Sequence, residues 1–397
     1  MKNTLFVGMI ILTIGLTLSA CSPQEMQHPP TITYTIESAN TPLATATLPP
    51  ATATIPIVTQ EPVSFPLSEP GPYWVGKWEH TIFDVSRSDR QIELTIWYPA
   101  LKKRDDEGRL ITFNAEPDLS EAPYPLILTD HDSGSYLFQS HLASHGFVMA
   151  IVDPQGFSNE MPWNNYVIDV PLDFLFVLDM LTSNPPEGLI DVLDTNRVGV
   201  GGYSSGGLFS LALGGARINP EYYLSQCAQA PSLDFHHSFL GVDYYCNLSE
   251  RWDEFSSQMD AEITTVSEGL WQPTTDDRIL AIMPMAPDSA WLYGAEGLAA
   301  INIPSLIIAG TEDQLISYEL SPCYIFEHLV NSDRILISFI GEQHMMVMKR
   351  KIISRINHFT VAFFGYYLQG KTEYADYFSK DFVAQCDDLF WGVYPKE

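Results

Sequence analysis

The sequence predicts an α/β fold: a mostly parallel central sheet with helices on both faces. Three observations lead there. First, six short runs are continuously apolar, at Pro125–Thr129, Phe147–Val152, Val198–Gly201, Ile279–Pro284, Ser305–Ala309 and Ile335–Ile340. A strand reads this way when both of its faces are covered. Second, helix-like segments alternate with these runs, at Tyr136–Ser144, Tyr166–Leu181, Ser205–Ala216, Tyr318–Val330 and Lys349–Leu368. Strand-helix alternation implies a doubly wound sheet, with chemistry on the loops at the strands' C-terminal ends. Third, Gln91–Tyr98 alternates apolar and polar residues, as a half-buried antiparallel strand does.

The chain opens with a different kind of segment. Lys2 precedes an apolar run from Leu5 to Leu18, and Leu18-Ser-Ala-Cys21 follows. The run is short for a membrane span and has the layout of a cleaved signal over residues 1–20. Leu-Ser-Ala-Cys resembles the lipobox of bacterial lipoproteins, which implies lipidation of Cys21 and an extracytoplasmic, membrane-anchored protein. Residues 21–70 are rich in Thr, Pro, Ala and Ser, as in Thr41-Pro-Leu-Ala-Thr-Ala-Thr-Leu-Pro-Pro50. With few aromatics and no amphipathic period, such a stretch buries too little apolar surface to offset its chain entropy. It is expected to be a disordered tether, and residues 71–397 to be the folded body.

Charge and cysteines narrow the partners and the compartment. Twenty basic against 49 acidic residues give a formal charge of −29. That balance argues against nucleic acid and leaves a lipid anchor as the expected membrane contact. Four cysteines follow Cys21, and an even number in an exported chain permits two disulfides. The expected pairs are Cys227–Cys246, closing a short loop, and Cys323–Cys386, tying the C-terminal tail to the body. Each would contribute about 3–4 kcal/mol by loop entropy.

The strand-helix pattern breaks at residues 217–277. This insertion carries Tyr222, Tyr223, Phe235, Phe239, Tyr244, Tyr245, Trp252, Phe255 and Trp271. Two readings stay open: a cap whose rings line an acyl pocket, and a small core belonging to the insertion itself.

Chemistry concentrates at Gly202-Tyr203-Ser204-Ser205-Gly206, between an apolar strand and an apolar helix. Gly-x-Ser-x-Gly in that setting is a nucleophile elbow, whose turn is so tight that the flanking residues must be nearly side-chain-free. A serine hydroxyl needs a base, and the base needs an orienting acid. Both follow in the order the elbow requires. Ser305–Ala309 runs into Gly310-Thr-Glu-Asp313, and Ile335–Ile340 into Gly341-Glu-Gln-His344. The expected triad is Ser204, Asp313 and His344, with Asp288, after the preceding strand, open as the alternative acid. The oxyanion requires two backbone donors. Ser205 is expected to supply one, and Ser133, in the loop after Pro125–Thr129, the other; Asp132 is its alternative.

At these residues the chain resembles a family. Ile96-Trp-Tyr-Pro-Ala100, His131, Ser144-His-Gly-Phe147, Gly202-Tyr-Ser-Ser-Gly-Gly207, Gly310-Thr-Glu-Asp313 and His344 are similar to secreted α/β-hydrolases of the platelet-activating-factor acetylhydrolase and predicted dienelactone hydrolase groups. The resemblance implies an α/β-hydrolase fold and cleavage of small-molecule or lipid carboxylic esters without metal or cofactor. It departs at His131-Asp132, where that family has His-Gly, and a serine replaces the cysteine of true dienelactone hydrolases. A non-catalytic surface binding protein on the same scaffold, or a serine peptidase, are the rival expectations. His141 and His145, four apart, are expected on a helix surface and not as metal ligands; His236-His237 lacks spacing to a further ligand.

Overall fold

A computed structural model describes residues 63–101, 111–130, 136–154, 163–230, 245–288 and 290–395. The signal-like segment, Cys21 and nearly all of the Thr/Pro-rich stretch lie outside these residues, as do His131, Asp132, Ser133, Phe235, His236-His237, Phe239 and Tyr244. Among the described residues ten strands form one sheet: β1 (Trp74–Asp84), β2 (Arg90–Ala100), β3 (Ile111–Phe113), β4 (Tyr124–Asp130), β5 (Val148–Pro154), β6 (Leu193–Tyr203), β7 (Ile279–Met285), β8 (Ser305–Gly310), β9 (Arg334–Phe339) and β10 (Leu389–Trp391). Their order across the sheet is β10-β9-β8-β7-β6-β4-β5-β2-β1-β3. From β5 through β9 every neighbour is parallel, whereas β2 and β10 pair antiparallel at the two flanks of that block.

The helices are α1 (Tyr136–Ser144), α2 (Trp163–Ser183), α3 (Ser205–Leu213), α4 (Pro220–Gln229), α5 (Trp252–Gln258), α6 (Gly294–Leu298), α7 (Tyr324–His328), α8 (Arg350–Gln369) and α9 (Lys380–Val383). Strand side chains alternate between faces, and the core divides accordingly. Val198 and Val200 of β6, Ile307 and Ala309 of β8 and Leu336 of β9 pack with α2, α3 and the insertion. Leu306 and Ile308 of β8 and Ile335, Ile337 and Phe339 of β9 pack with α1 and α8 on the opposite face. Covered on both faces, these strands had to be continuous apolar runs. The winding reverses at β4: β5 lies on one side of it and β6 on the other. Ligand crevices of doubly wound sheets open at such a switch point.

Three strands outside the parallel block, β1, β3 and β10, were not foreseen. β1 carries Lys77, Glu79 and His80 among its apolar residues, so it shows no apolar run. It forms nonetheless, because an 11-residue antiparallel ladder to β2 supplies its backbone bonds. A buried ion-pair network ties the β1–β2 turn to α2. Asp173, fully buried, accepts from Arg87 Nη2 at 2.5 Å and from Arg90 Nε and Nη2 at 2.7 and 2.8 Å.

The helix expected over Tyr318–Val330 is split. Pro322 lacks an N–H and its ring crowds the carbonyl four residues back. The chain therefore opens into a π-helical turn at Glu319–Cys323, with Cys323 N–H donating to Tyr318 O at 2.9 Å, before α7 begins.

Of the two expected disulfides, Cys227–Cys246 is present, with Cα atoms 5.5 Å apart. Cys323–Cys386 is a correction: both are buried and neither is in a disulfide. Cys323 packs in the core on the α2 and α3 face, Cys386 in the core on the α1 and α8 face. The sheet stands between them, so no side-chain rotation could join the sulfurs.

The packed body also starts earlier than composition suggests. Leu67, in a 3-10 turn at Pro66–Ser68, is buried. The strap around it is held by three histidines. His141 Nε2 donates to Leu67 O at 2.8 Å, and His145 Nε2 donates to Glu69 O at 2.9 Å. Leu67 N–H in turn donates to His358 Nδ1 at 3.2 Å. His141 and His145 are therefore not on an exposed helix surface; the strap covers them.

In the insertion, Trp252 lies 5.5 Å from Tyr223, 5.4 Å from Phe255 and 5.3 Å from Trp271 between ring centroids. Tyr223, Tyr245, Phe255 and Trp271 are all buried. These rings form the insertion's own core, continuous with the α2 and α3 face.

Candidate active site

Ser204 sits between β6 and α3 with φ 58° and ψ −113°, a left-handed backbone that a side-chain-bearing residue rarely adopts. Neighbouring strands hold it there. Ser204 N–H donates to Met285 O at 2.9 Å, and Tyr203 pairs with Met285 in the β6–β7 ladder. The two glycines of the motif are required by close approach. A Cβ on Gly202 would lie 2.3 Å from the Gly206 carbonyl carbon, and one on Gly206 would lie 2.3 Å from Asp130 Oδ1 at the end of β4. The turn can close only if both residues lack side chains.

The acid and base arrive on adjacent loops. Asp313 follows β8 and His344 follows β9, and the two loops are joined by backbone bonds. Thr311 N–H donates to Phe339 O at 3.0 Å, Glu312 N–H to Glu342 O at 2.9 Å, and Gly341 N–H to Thr311 Oγ1 at 2.9 Å. A Cβ on Gly310 would lie 2.3 Å from Glu342 O, so the approach of the loops needs glycine there as well.

His344 Nδ1 lies 2.7 Å from Asp313 Oδ2, and His344 Nε2 lies 3.1 Å from Ser204 Oγ. Asp313 Oδ1 accepts the N–H groups of Leu315 and Ile316, each at 2.9 Å. An ionised carboxylate only accepts, so a neutral imidazole here carries its proton on Nδ1 and turns Nε2 to the hydroxyl. Both side chains of the acid-base pair are nearly sealed from water, at 1% and 7% exposure. Burial strengthens their attraction and holds the imidazole in one orientation.

Asp288 is fully buried after β7 and is not the residue bonded to His344. Ser205 is the first residue of α3, so its N–H belongs to the set that a helix N-terminus leaves without intrahelical acceptors. Ser133 lies outside the described residues. Cys227 and Cys246 lie in the insertion, away from the three acid-base groups in sequence but linked through Tyr245, whose hydroxyl accepts Ser317 N–H at 3.2 Å just beyond Asp313. Sequence reading missed two supports of this site, Asp130 against Gly206 and Tyr203 against His344. Nothing in spacing marks them; only the sheet order brings β4 and the β9 loop beside the elbow.

A recess of about 440 Å³ lined by Arg87, Ser88, Arg90, Gln91 and Asp169 lies at the β1–β2 turn, where both guanidiniums are already engaged by Asp173. Among the described residues no group of three or more His, Cys, Asp or Glu is arranged to hold a metal ion, and no helix is long and apolar enough to cross a membrane. No protein-family model and no curated protein matches the chain. The class supported by the described residues is thus a doubly wound α/β protein with a Ser-His-Asp hydrogen-bonded chain at the sheet's C-terminal edge.

Proposed function

We propose that the protein is a serine hydrolase of α/β-hydrolase fold that cleaves carboxylic esters through an acyl-enzyme. One observation carries the reading: the unbroken chain Asp313–His344–Ser204, ending on a serine in left-handed backbone at a strand-to-helix elbow. A hydrogen-bonded chain of this kind serves general-base activation of an alcohol.

In the proposed reaction Ser204 Oγ attacks the ester carbonyl carbon while His344 Nε2 takes its proton. The C=O π pair moves to oxygen, and the N–H groups of Ser205 and Ser133 stabilise the oxyanion. Collapse breaks the C–O bond, and Nε2–H protonates the departing alcohol. Water then attacks the acyl-Ser204 carbonyl, gives its proton to Nε2, and releases the acid and free Ser204. Asp313 holds the Nδ1–H tautomer throughout and stabilises the imidazolium. No step uses a metal or cofactor. The substrate class is a small-molecule or lipid ester, and the Cys21 lipid would hold the enzyme at the outer face of a bacterial membrane.

Ser204→Ala is expected to lower kcat on short p-nitrophenyl esters by at least about 10⁴-fold. A fluorophosphonate, which phosphonylates an activated serine with loss of fluoride, is expected to label Ser204. Turnover retained in Ser204→Ala would sink the assignment. A folded wild type that neither labels nor turns over ester would favour the non-catalytic binding protein, and amide turnover exceeding ester turnover would favour a peptidase.

A further inference from the structure

We propose that Tyr203 is a positioning residue for the general base: its ring lies against the His344 imidazole and its hydroxyl holds the His344 backbone carbonyl. The inference rests on the esterase reading above and assigns a role that the triad alone does not contain.

The need for such a residue follows from where His344 sits. It is not on a strand or long helix. It opens a short 3-10 turn, His344–Met348, after the four-residue connection from β9, and Gly341 in that connection has φ +74°. Its ring nitrogens are directed by Asp313 and Ser204, and the loop before it is tied at Gly341 and Glu342, but none of these bonds reaches the His344 carbonyl, so its peptide keeps freedom to tilt. The Tyr203 hydroxyl donates to His344 O, and that bond removes this freedom. The ring adds a second restraint, with centroids 4.9 Å apart and planes inclined by 33°.

Tyr203 suits the task because of what holds it. It ends β6, is 6% exposed, and is paired with Met285 in the ladder. It is also the residue directly before Ser204, so one rigid strand end carries both the nucleophile and the clamp on its base. Burial, with the nearby Asp313 carboxylate adding to it, pushes the phenol far above its usual range, so the hydroxyl stays a donor throughout the working pH. An aromatic ring this close to the imidazole, tilted by 33°, also favours the imidazolium that forms as Ser204 attacks.

The geometry separates hydroxyl from ring, and so does the test. Tyr203→Phe keeps the ring and removes the donor; Tyr203→Leu removes both. With p-nitrophenyl acetate, Tyr203→Phe is expected to lower kcat about tenfold, the equivalent of about 1.4 kcal/mol in the barrier. Tyr203→Leu is expected to lower it by about a hundredfold. KM should stay within about twofold in both, because an interaction felt only as the base works leaves substrate binding alone. The rate of fluorophosphonate labelling of Ser204 should fall in parallel with kcat. Thermal melting checks that each variant is folded, and the near-isosteric Phe variant gives a reading even if the Leu variant melts early. A folded Tyr203→Phe with kcat within about twofold of wild type would overturn the proposal while the esterase reading stands. A loss confined to KM would overturn it too. A wild type that neither turns over ester nor labels at Ser204 would overturn both readings together.

Discussion

Ser204 is strained and Asp313 is saturated, and both conditions serve the same end. The serine is held at φ 58°, which costs on the order of 1–3 kcal/mol and persists only because the surroundings over-determine it. The acid uses one oxygen for two backbone N–H groups and the other for His344, so its carboxylate has no reason to rotate. Asp313→Asn would present an amide to Nδ1 and favour the wrong tautomer. We expect kcat to fall by about 10³–10⁴-fold, with Asp288→Asn costing less than about tenfold. Steady-state kinetics on both variants decides; a collapse of kcat in Asp288→Asn alone would reverse the assignment. The serine, histidine and acid were legible in the sequence because each follows the C-terminal end of an apolar strand. The choice of Asp313 over Asp288 was not, since both positions meet that rule. Which carboxylate meets His344 depends on the loop bonds that draw residues 311–313 toward residues 339–342, contacts between loops that leave no mark on spacing.

At the scale of elements, the strap at Pro66–Ser68 is the part most exposed to pH. Burial, with neighbouring histidine charge adding to it, holds His145 down to about 4 and His358 down to about 3. His141 is lowered by burial as well, against an opposing bond to Leu67. The folded state therefore binds fewer protons than the unfolded chain, whose histidines titrate near 6.5. Stability is full above that value and falls as pH drops toward 4 and then 3, by about 1.4 kcal/mol per pH unit for each histidine kept neutral. His358 Nδ1 must accept from Leu67 N–H, so its protonation also removes that bond. Melting curves from pH 7 to 4 should show a falling Tm. His358→Gln, lower in Tm at pH 7, should show a shallower fall; an unchanged slope would mean that the strap histidines do not titrate in folding.

The cysteines give a second element-scale prediction. Under non-reducing denaturation, residues 63–395 should yield two titratable thiols, Cys323 and Cys386, neither reactive before unfolding. Breaking Cys227–Cys246, separated by 19 residues, should cost about 3 kcal/mol by loop entropy and lower Tm. It should also loosen Tyr245 from the Asp313 loop. Parity and export suggested two bridges from sequence, but parity says nothing about which side of a sheet a sulfur occupies. For the rings around α4 and α5 the sequence left a cap and a small core of their own both open, because their apolar positions answer to each other and not to a period.

At the scale of the molecule, a formal charge of −29 and the Leu-Ser-Ala-Cys21 entry set the expected address. In a bacterial host, detergent-phase partitioning of the full chain should place wild type in the detergent phase and Cys21→Ser in the aqueous phase. Wild type recovered in the aqueous phase would remove the lipid anchor from the proposal.

The sequence by itself determined the layers, the parallel block and the elbow. Those follow from local physics: two-faced burial writes apolar runs, helices write their period, and a tight turn demands glycine. Only the tertiary structure decided that β1 joins the sheet between β2 and β3, that Cys323 and Cys386 lie on opposite faces, that three histidines hold a strap, and that Tyr203 lies against His344. Each of these depends on residues far apart in the chain meeting across a sheet, and such meetings are set by strand order and loop closure, which no local pattern encodes.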